Sequence, residues 1–467
     1  MSPTSRPAAA HRSGAGQQPR PVRVGFVSLG CPKNLVDSEV MMGLLRREGL
    51  LITPDAAEAE VIVVNTCGFI DSARQESIDT ILEMAELKRT GACRRLVVAG
   101  CLVQRQPEEM RRELPEVDAF LGLDDLGKVA DAVRGERGDA EIPSGGPATY
   151  LYDHQTPRIL SGPGHSVYLK IAEGCDNPCA FCAIPKFRGA FRSRRLGSIL
   201  AEAHALVAGG AVELNLIAQD STNYGLDLGL EDGVARLLEG LSEVEGARWI
   251  RLFYVYPNRI TDRLIEVMAG HDNICKYVDI PLQHASRAVL QRMVRGGSAD
   301  HHRRILRRFR EAMPAITLRT TMIVGFPGET EAEFDELLDF VAEARFDRLG
   351  AFTYSHEEST RAAALADDVP PEVKEERRER LMAVQEEISS ERNRDLVGRT
   401  LTVLCDGVSP ESEHLLEGRT EGQAPEVDGV VYLVEGEAIA GDLVPVEITE
   451  AHPYDLVGRV VAAPALA

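Results

Sequence analysis

The sequence contains no apolar run of 18 or more residues, so no segment is long enough to cross a membrane as a helix. Its first twenty residues also lack the apolar stretch of a secretory signal. Basic residues are scarce as well, because 52 Lys and Arg stand against 73 Asp and Glu and give a formal net charge of −21. This balance argues against binding of nucleic acid through surface charge. We therefore expect a cytoplasmic protein, with no membrane partner, whose acidic surface suits a basic partner.

Cysteine, in contrast, occurs nine times. An odd number of cysteines in a large chain without a secretion signal favours reduced thiols and metal ligands over disulfides. Six of the nine fall into two patterns that are described below. The other three, Cys93, Cys275 and Cys405, fit neither pattern, and we expect them to be structural.

Apolar, β-branched runs alternate with helical patterns in the first part of the chain. Such alternation predicts βαβ units and therefore an α/β fold with an open parallel sheet. We expect this N-terminal domain to span 21–140, after a disordered tail at 1–20 and before a polar linker at 141–163. Its predicted strands lie at 22–29, 61–65 and 95–99.

The alternation resumes beyond the linker and then gives way to a different pattern. Six strands with helices between them predict a partial (βα)6 barrel, similar to a TIM barrel, over 164–396. Short strands separated by Gly, Pro and Asp predict a small antiparallel, OB-like β-barrel over 397–467. The six predicted strands of the larger barrel lie at 167–172, 212–217, 249–255, 276–280, 316–324 and 347–353.

The first cysteine pattern is C-x3-C-x2-C, formed by Cys175, Cys179 and Cys182 just after the first predicted barrel strand. A four-iron cluster ordinarily takes four thiolates, so three would leave one iron open to a small molecule. The alternatives are three core cysteines or a zinc site, although a closed zinc site needs a fourth ligand that does not follow in this loop. The pattern predicts an open iron–sulfur cluster at the carboxyl ends of the barrel strands.

The second pattern is one of placement, because Cys31, Cys67 and Cys101 each follow a predicted strand by one or two residues. The carboxyl ends of parallel strands form the binding crevice of an open α/β sheet. Neighbouring strands lie about 4.8 Å apart, so three such thiols could surround one cluster. Three buried core cysteines are the alternative interpretation.

The segment EGCDNPCAFCAIP resembles the cluster loop of the radical S-adenosylmethionine superfamily. The resemblance implies that the open iron binds S-adenosylmethionine and that its cleavage gives a 5′-deoxyadenosyl radical. It also assigns cofactor contacts by position. Phe181 resembles the aromatic residue near adenine, Gly209, Gly210 and Glu213 resemble the segment near the methionyl amine, and Gly325 resembles the glycine of the fifth strand.

A three-cysteine α/β domain, a radical barrel and a small β-barrel similar to a TRAM domain together resemble the methylthiotransferase family. The resemblance implies two 4Fe-4S clusters and two molecules of S-adenosylmethionine, one giving the methyl group and one the radical. It implies an electron donor such as flavodoxin or ferredoxin, and we expect a monomer. No catalytic residue beyond the cluster ligands is assigned.

The substrate follows from the branch of the family. GCPKNLVDSE, NTCGFI and DIPLQHAS resemble the branch that adds a methylthio group to the β carbon of an aspartate in small-subunit ribosomal protein twelve. Thirteen acids against three arginines from Gly398 to Ala467 agree with a basic protein partner and with no direct binding of nucleic acid. The alternatives are a tRNA methylthiotransferase that acts on isopentenyl-adenosine and, from another class, a non-catalytic two-cluster electron carrier.

A basic run beside the cluster loop allows two interpretations. It could steer a substrate or cofactor carboxylate, or it could be an ordinary solvated face. Its members are Lys186, Arg188, Arg192, Arg194 and Arg195.

Overall fold

A computed structural model describes residues 21–136, residue 143 and residues 145–462. The predicted tail at 1–20 and parts of the predicted linker lie outside the described residues. Within the described part of the chain, no helix has the length and apolar character needed to cross a bilayer.

The N-terminal region is an open sheet of five parallel strands in the order β2-β1-β3-β4-β5. Its two central strands are apolar and buried along nearly their whole length, as expected for a parallel sheet covered on both faces. The strands are β1 (Arg23–Ser28), β2 (Leu51–Thr53), β3 (Val61–Thr66), β4 (Arg95–Gly100) and β5 (Ala119–Leu121). The helices are α1 (Pro32–Arg47), α2 (Asp71–Thr90), α3 (Cys101–Arg105), α4 (Pro107–Glu113) and α5 (Val129–Arg134).

The central region is a six-stranded parallel sheet in the order β13-β12-β11-β10-β9-β6, which forms the predicted partial barrel. A short antiparallel pair, β7 with β8, lies beside it. The strands are β6 (Ser166–Lys170), β7 (Ala172–Glu173), β8 (Arg192–Ser193), β9 (Glu213–Ile217), β10 (Trp249–Leu252), β11 (Ile274–Asp279), β12 (Thr317–Val324) and β13 (Arg348–Thr353).

Helices cover the outside of this sheet and bury an apolar layer between helix and strand. The helix α12 begins with a capping box, in which the Thr330 side chain accepts from the Glu333 backbone and the Glu333 side chain accepts from the Thr330 backbone. The helices are α6 (Ile184–Phe187), α7 (Leu196–Ala208), α8 (Gly233–Ser242), α9 (Asp262–Gly270), α10 (Arg287–Arg292), α11 (Ala299–Ala312), α12 (Glu331–Ala344) and α13 (Pro371–Arg394).

The C-terminal region is a closed five-stranded barrel in the order β14-β15-β16-β18-β17. All of its strand pairs are antiparallel except β16 with β18, which are parallel. The strands are β14 (Thr400–Val408), β15 (Leu416–Thr420), β16 (Val431–Glu435), β17 (Leu443–Ala451) and β18 (Leu456–Val460). The predicted fold class, an α/β chain with an open parallel sheet, a partial barrel and a small terminal β-barrel, is therefore confirmed.

The C-terminal barrel is fixed to the amino-terminal end of the central sheet by buried charges. Glu213 accepts from Arg419 at 2.9 Å and from Arg251 at 2.9 Å. Asp406 accepts from Arg419 at 2.7 Å, and Asp428 accepts from the Tyr277 hydroxyl at 3.0 Å. Part of the acidity that the sequence concentrates in this barrel is therefore used inside the molecule.

Candidate functional site: two facing groups of cysteines

The sheet site is the group formed by Cys31, Cys67 and Cys101, which follow the adjacent strands β1, β3 and β4. Because the three strands are parallel neighbours, all three cysteines lie at one edge of the sheet. Cys31 is exposed, Cys67 is half-buried and Cys101 is buried. The structure thus brings together the three residues that the placement of the strands predicted.

Glycines allow the three loops of the sheet site to approach one another. Gly30 has φ +86°, and a Cβ at this position would lie 3.0 Å from the Cys67 Sγ. A Cβ at Gly68 would lie 2.8 Å from the Leu102 Cα. The first distance is at the tight limit for a Cβ contact and the second is below it, so a side chain at either position would push the loops apart.

A buried asparagine joins two of these loops. The Asn34 Nδ2 donates to the Leu29 carbonyl at 2.7 Å and to the Thr66 carbonyl at 3.2 Å. Asn65 donates back to the Asn34 carbonyl at 2.8 Å. These bonds satisfy carbonyls at the ends of β1 and β3 and hold Cys31 and Cys67 on neighbouring loops.

The loop site is the group formed by Cys175, Cys179 and Cys182, on the segment that follows β6 and β7. The Cys182 backbone N–H donates to the Cys179 carbonyl at 3.2 Å, which makes a tight turn between the second and third thiols. Buried Arg295 donates to the Cys179 Sγ at 3.3 Å. The segment lies at the carboxyl ends of the barrel strands, as the sequence predicts.

The two sites adjoin each other. Cys101 packs in one cluster with Ala183, which directly follows Cys182, and with Phe187 at the end of α6. Arg188 donates to the Cys101 Sγ at 3.0 Å and to the Glu173 carboxylate at 2.8 Å. One buried guanidinium therefore joins the sheet site to the segment that carries the loop site.

A second cation completes this buried network. Lys170 donates to Glu173 at 2.9 Å and forms a short contact with Asp37. Burial alone would raise the pKa of Glu173, but the Arg188 and Lys170 cations hold it well below its usual range. Glu173 is therefore ionised, and its charge fixes the relative position of the two sites.

The pKa values of the buried thiols are raised, in part by the neighbouring cysteines of the same site. Burial, together with the charges of Cys31 and Cys67, raises the pKa of Cys101 to about 12, although Arg188 opposes the shift. Burial likewise raises the pKa of Cys182 to about 12, with contributions from Cys179 and Cys175. These thiols are protonated at neutral pH and would release protons on binding a metal.

The donor set fits iron–sulfur clusters better than single ions. Among the described residues, no group of three or more His, Cys, Asp or Glu side chains is placed to hold a single metal ion. A zinc ion with bonds of about 2.3 Å needs its sulfur ligands within ~4 Å of one another. A four-iron cluster binds each thiolate through a different iron and so spaces its ligands more widely.

The cofactor contacts assigned by resemblance separate into two sets. Phe181 packs beside Phe326 and Ile323, and Gly325, with φ +72°, directly follows β12 at the same carboxyl end of the strands as the loop site. Gly209, Gly210 and Glu213 lie before and at the start of β9, so they are at the opposite end of the barrel. The structure does not bring this second set to the cysteines, because Glu213 is committed to Arg251 and Arg419.

Residues that the sequence analysis missed occupy the carboxyl end of β9 instead. Gln219 donates to Glu173 at 2.6 Å, and Asp220 accepts from Asn177 at 2.8 Å. Asn177 belongs to the cysteine loop, so these contacts tie β9 to the loop site. The signal for them is two polar residues shortly after the carboxyl end of β9, since such residues reach the binding end of the sheet.

The basic run is divided between the interior and the surface. Arg188 and Arg194 are buried, the first in the network between the sites and the second in an ion pair with Glu202. Lys186 and Arg195 are exposed, and Arg192 is half-buried.

Cys93, Cys275 and Cys405 are buried in apolar cores away from both sites.

Comparison with known proteins adds independent findings. The chain matches the Uncharacterized protein family UPF0004 over residues 23–122, the Radical SAM superfamily over 169–341 and the TRAM domain over 397–461. It resembles the structure of the radical S-adenosylmethionine methyltransferase TsrM from Kitasatospora setae, with a TM-score of 0.54 and 14% identity. That likeness covers 73% of this chain and 74% of the other, and at this identity it supports the fold alone.

Curated relatives named ribosomal protein uS12 methylthiotransferase RimO match nearly the whole chain. The relative from Anaeromyxobacter sp. (strain K) is 52% identical over 94% of this chain and 93% of its own length. The relative from Geobacter sulfurreducens is 50% identical over 94% of this chain and 99% of its own length. The expected family is confirmed, and the chain belongs to the ribosomal protein uS12 methylthiotransferase family of radical S-adenosylmethionine enzymes.

Proposed function

We propose that this enzyme adds a methylthio group to the β carbon of an aspartate in ribosomal protein uS12. The observation that carries the proposal is the pair of adjoining three-cysteine sites, joined by Arg188 between Cys101 and Glu173. The relatives named for this activity share about half of their residues with the chain over nearly its full length. One site suits radical generation and the other suits a sulfur species, so adjacency allows a single substrate to meet both.

In this proposal the loop site holds the reducing 4Fe-4S cluster and the sheet site holds the second one. When bound, the reducing cluster supplies the electron that cleaves S-adenosylmethionine to a 5′-deoxyadenosyl radical. Each site offers three thiols, so a four-iron cluster bound there would have one position not held by these cysteines. Phe181 and Gly325 lie beside the loop site and would border the adenosyl group.

The residues around the two sites would position the clusters. Arg188 and Arg295 each donate to one cysteine sulfur, Cys101 and Cys179, and so place a buried positive charge at each cluster. Such hydrogen bonds stabilise the thiolate form and the reduced cluster. Asn177, Asp220 and Arg259 form a further polar network beside Cys175 and fix the loop to the barrel.

The C-terminal barrel supplies an acidic surface for a basic protein. Several of its acids are exposed and form no ion pair with any described residue, namely Glu411, Glu435, Glu437, Asp442 and Glu450. Their charge would repel an RNA backbone and attract a protein rich in Lys and Arg. We infer that the enzyme acts in the cytoplasm as a monomer and receives electrons from a flavodoxin or ferredoxin.

The test is anaerobic reconstitution with iron and sulfide, followed by incubation with S-adenosylmethionine, a reductant and either uS12 or tRNA that contains isopentenyl-adenosine. We expect a methylthio group on an aspartate of uS12 and none on the tRNA, as read by mass spectrometry of each product. The Cys179→Ala variant serves as the control without radical chemistry. Modification of the tRNA instead of uS12 would contradict the proposal.

A further inference from the structure

Lys33 is a buried lysine at an unfavourable position. It is the second residue of α1, two residues after Cys31, and only 7% of its surface is exposed. The first turn of this helix contains no acidic residue. A cation there faces the partial positive charge of the helix N-terminus, so the position costs free energy unless an anion arrives.

No carboxylate of the described chain forms an ion pair with Lys33; burial lowers its pKa to about 8, and the nearby Cys31, Asp279 and Glu173 offset only part of that shift. Its neighbours Lys170 and Arg188 each pair with carboxylates, whereas Lys33 makes no ion pair or hydrogen bond with any described residue. Asp279 lies nearby but accepts from Arg319 at 2.9 Å. Buried lysines are rarely left without a partner, because the desolvated charge is costly.

An aromatic ring holds the ammonium in place. The Lys33 Nζ lies 3.2 Å from the centroid of the Tyr254 ring, which follows β10 at the carboxyl end of the barrel. Tyr254 has φ +58°, a conformation that is rare and strained for a tyrosine. Strain of this kind persists where the surrounding structure imposes it, and it is frequent at functional sites.

The ammonium therefore sits between the sheet site, through Cys31, and the carboxyl ends of the barrel strands, through Tyr254. Because Cys31 directly precedes α1 and Tyr254 follows β10, the Lys33 ammonium lies where the carboxyl ends of the two sheets meet, and we call this place the cleft. Arg188 and Arg295 donate to cysteine sulfurs, but Lys33 donates to none. Lys33 differs from these arginines in having its donors free for a ligand that enters the cleft.

We propose that Lys33 is a specificity-determining residue that binds the carboxylate of the substrate's acidic side chain in this cleft. The inference rests on the proposed function and deepens it. In an aspartate the carboxylate is bonded directly to the β carbon, so a fixed carboxylate also fixes the carbon that is to be modified. A charged hydrogen bond of this kind distinguishes aspartate from the neutral, isosteric asparagine.

The experiment compares the binding of two proteins by the reconstituted holoenzyme under anaerobic conditions. The first is uS12, and the second is uS12 in which the target aspartate is replaced by asparagine. The dissociation constants are measured for the wild type, for Lys33→Met and for Lys33→Arg. Lys276→Met is the matched control. Lys276 is a half-buried lysine that donates hydrogen bonds to backbone carbonyls near the amino-terminal end of β11.

We expect the wild type and Lys276→Met to prefer the aspartate form by about 10–100-fold, the range for one hydrogen bond to a charged group. Lys33→Met should lose this preference, and Lys33→Arg should keep most of it. If Lys33→Met weakens the binding of both uS12 proteins equally, Lys33 acts through the overall charge of the site and not through the substrate carboxylate. This outcome would overturn the inference. So would an unchanged preference in that variant.

Two further outcomes separate this inference from the proposed function. If Lys33→Met loses iron on reconstitution, the binding comparison is repeated with Lys33→Gln, whose side chain is polar, neutral and of similar length. The same results then support or overturn the inference. If the wild type binds neither protein, the proposed substrate is wrong and the inference is overturned with it. A wild type that modifies uS12 but binds both forms equally overturns only the role of Lys33.

Discussion

The loop site and the sheet site each contain three cysteines, but one site is built from a continuous segment and the other from three separate loops. The loop site takes its three thiols from the continuous segment between Cys175 and Cys182. The sheet site takes them from three loops that are separated in sequence by 36 and 34 residues. The first is therefore organised by local turns, and the second by the pairing of β1, β3 and β4.

This difference decides which substitutions each site tolerates. The loop site depends on backbone bonds within its own segment and on Arg295. The sheet site depends on close approaches at Gly30 and Gly68 and on the Asn34 amide. Distant residues that join strands therefore matter more for the sheet site, while the spacing of the motif matters more for the loop site.

The largest expected effect is the separation of the two sites by cysteine removal. Cys179→Ala should abolish the formation of 5′-deoxyadenosine, whereas Cys31→Ala should lose about half of the iron and still cleave S-adenosylmethionine. The measurements are iron content after reconstitution and 5′-deoxyadenosine by chromatography. Equal loss of both readouts in the two variants would show that one cluster, and not two, is present.

The next effect tests the close approach at the sheet site. Gly30→Ala places a Cβ 2.7 Å from the Cys67 Cβ at φ +86°, so we expect loss of the sheet-site iron and destabilisation by about 4 kcal/mol. Gly210→Ala is the control, because its φ is also positive, +106°, but no atom lies within 4 Å of the new Cβ. This control should cost about 1 kcal/mol and retain all iron.

A higher Michaelis constant for S-adenosylmethionine in Gly210→Ala would contradict the placement of Gly210 at the end of the barrel away from the loop site. It would instead support the contact with the methionyl amine that the sequence motif predicts.

A third effect concerns Glu213, which lies away from both sites. Although burial opposes it, Arg419 and Arg251 lower the pKa of Glu213 from 4.5 to about 2. Its stabilising effect is complete above pH 4.5 and is lost as the pH falls through 2. Glu213→Gln should therefore cost about 3–5 kcal/mol at neutral pH, with a difference from the wild type that is roughly halved at pH 3.

Urea unfolding of the metal-free protein at both pH values measures this difference. Glu447→Gln is the control, because its ion pair with Arg459 is largely exposed and should contribute little. A pH-independent difference for Glu213→Gln would contradict the assigned ion pairs.

The smallest expected effect is that of Asn34→Ala, which leaves carbonyls at two strand ends without a donor. We expect destabilisation by about 2 kcal/mol and reduced iron at the sheet site only. Asn393→Ala is matched to it, since Asn393 is also buried and donates to two backbone carbonyls, at His452 and Pro453. The control should lose similar stability and no iron, as measured by unfolding and by iron counting.

Sequence patterns predicted the strands of both parallel sheets well where the strands are long and apolar. The runs at 61–65 and 95–99 correspond to β3 and β4 within one residue. The strands β2 and β5 were missed because they have three residues each, too few for a periodic signal. The glycine pair at 209–210 precedes β9 as the sequence indicates, but the resemblance also predicts a contact with the methionyl amine, and the start of β9 lies at the end of the barrel away from the cysteines.

The sequence by itself determined that three thiols lie on one loop and that three more follow consecutive strands of a parallel sheet. Both features are local, since spacing and strand order follow from short segments. Only the tertiary structure decided that the two groups adjoin each other, that Arg188 joins them, and that Lys33 is buried with no ion pair to a described residue. These facts depend on the packing of one domain against another, which no periodicity along a single chain records.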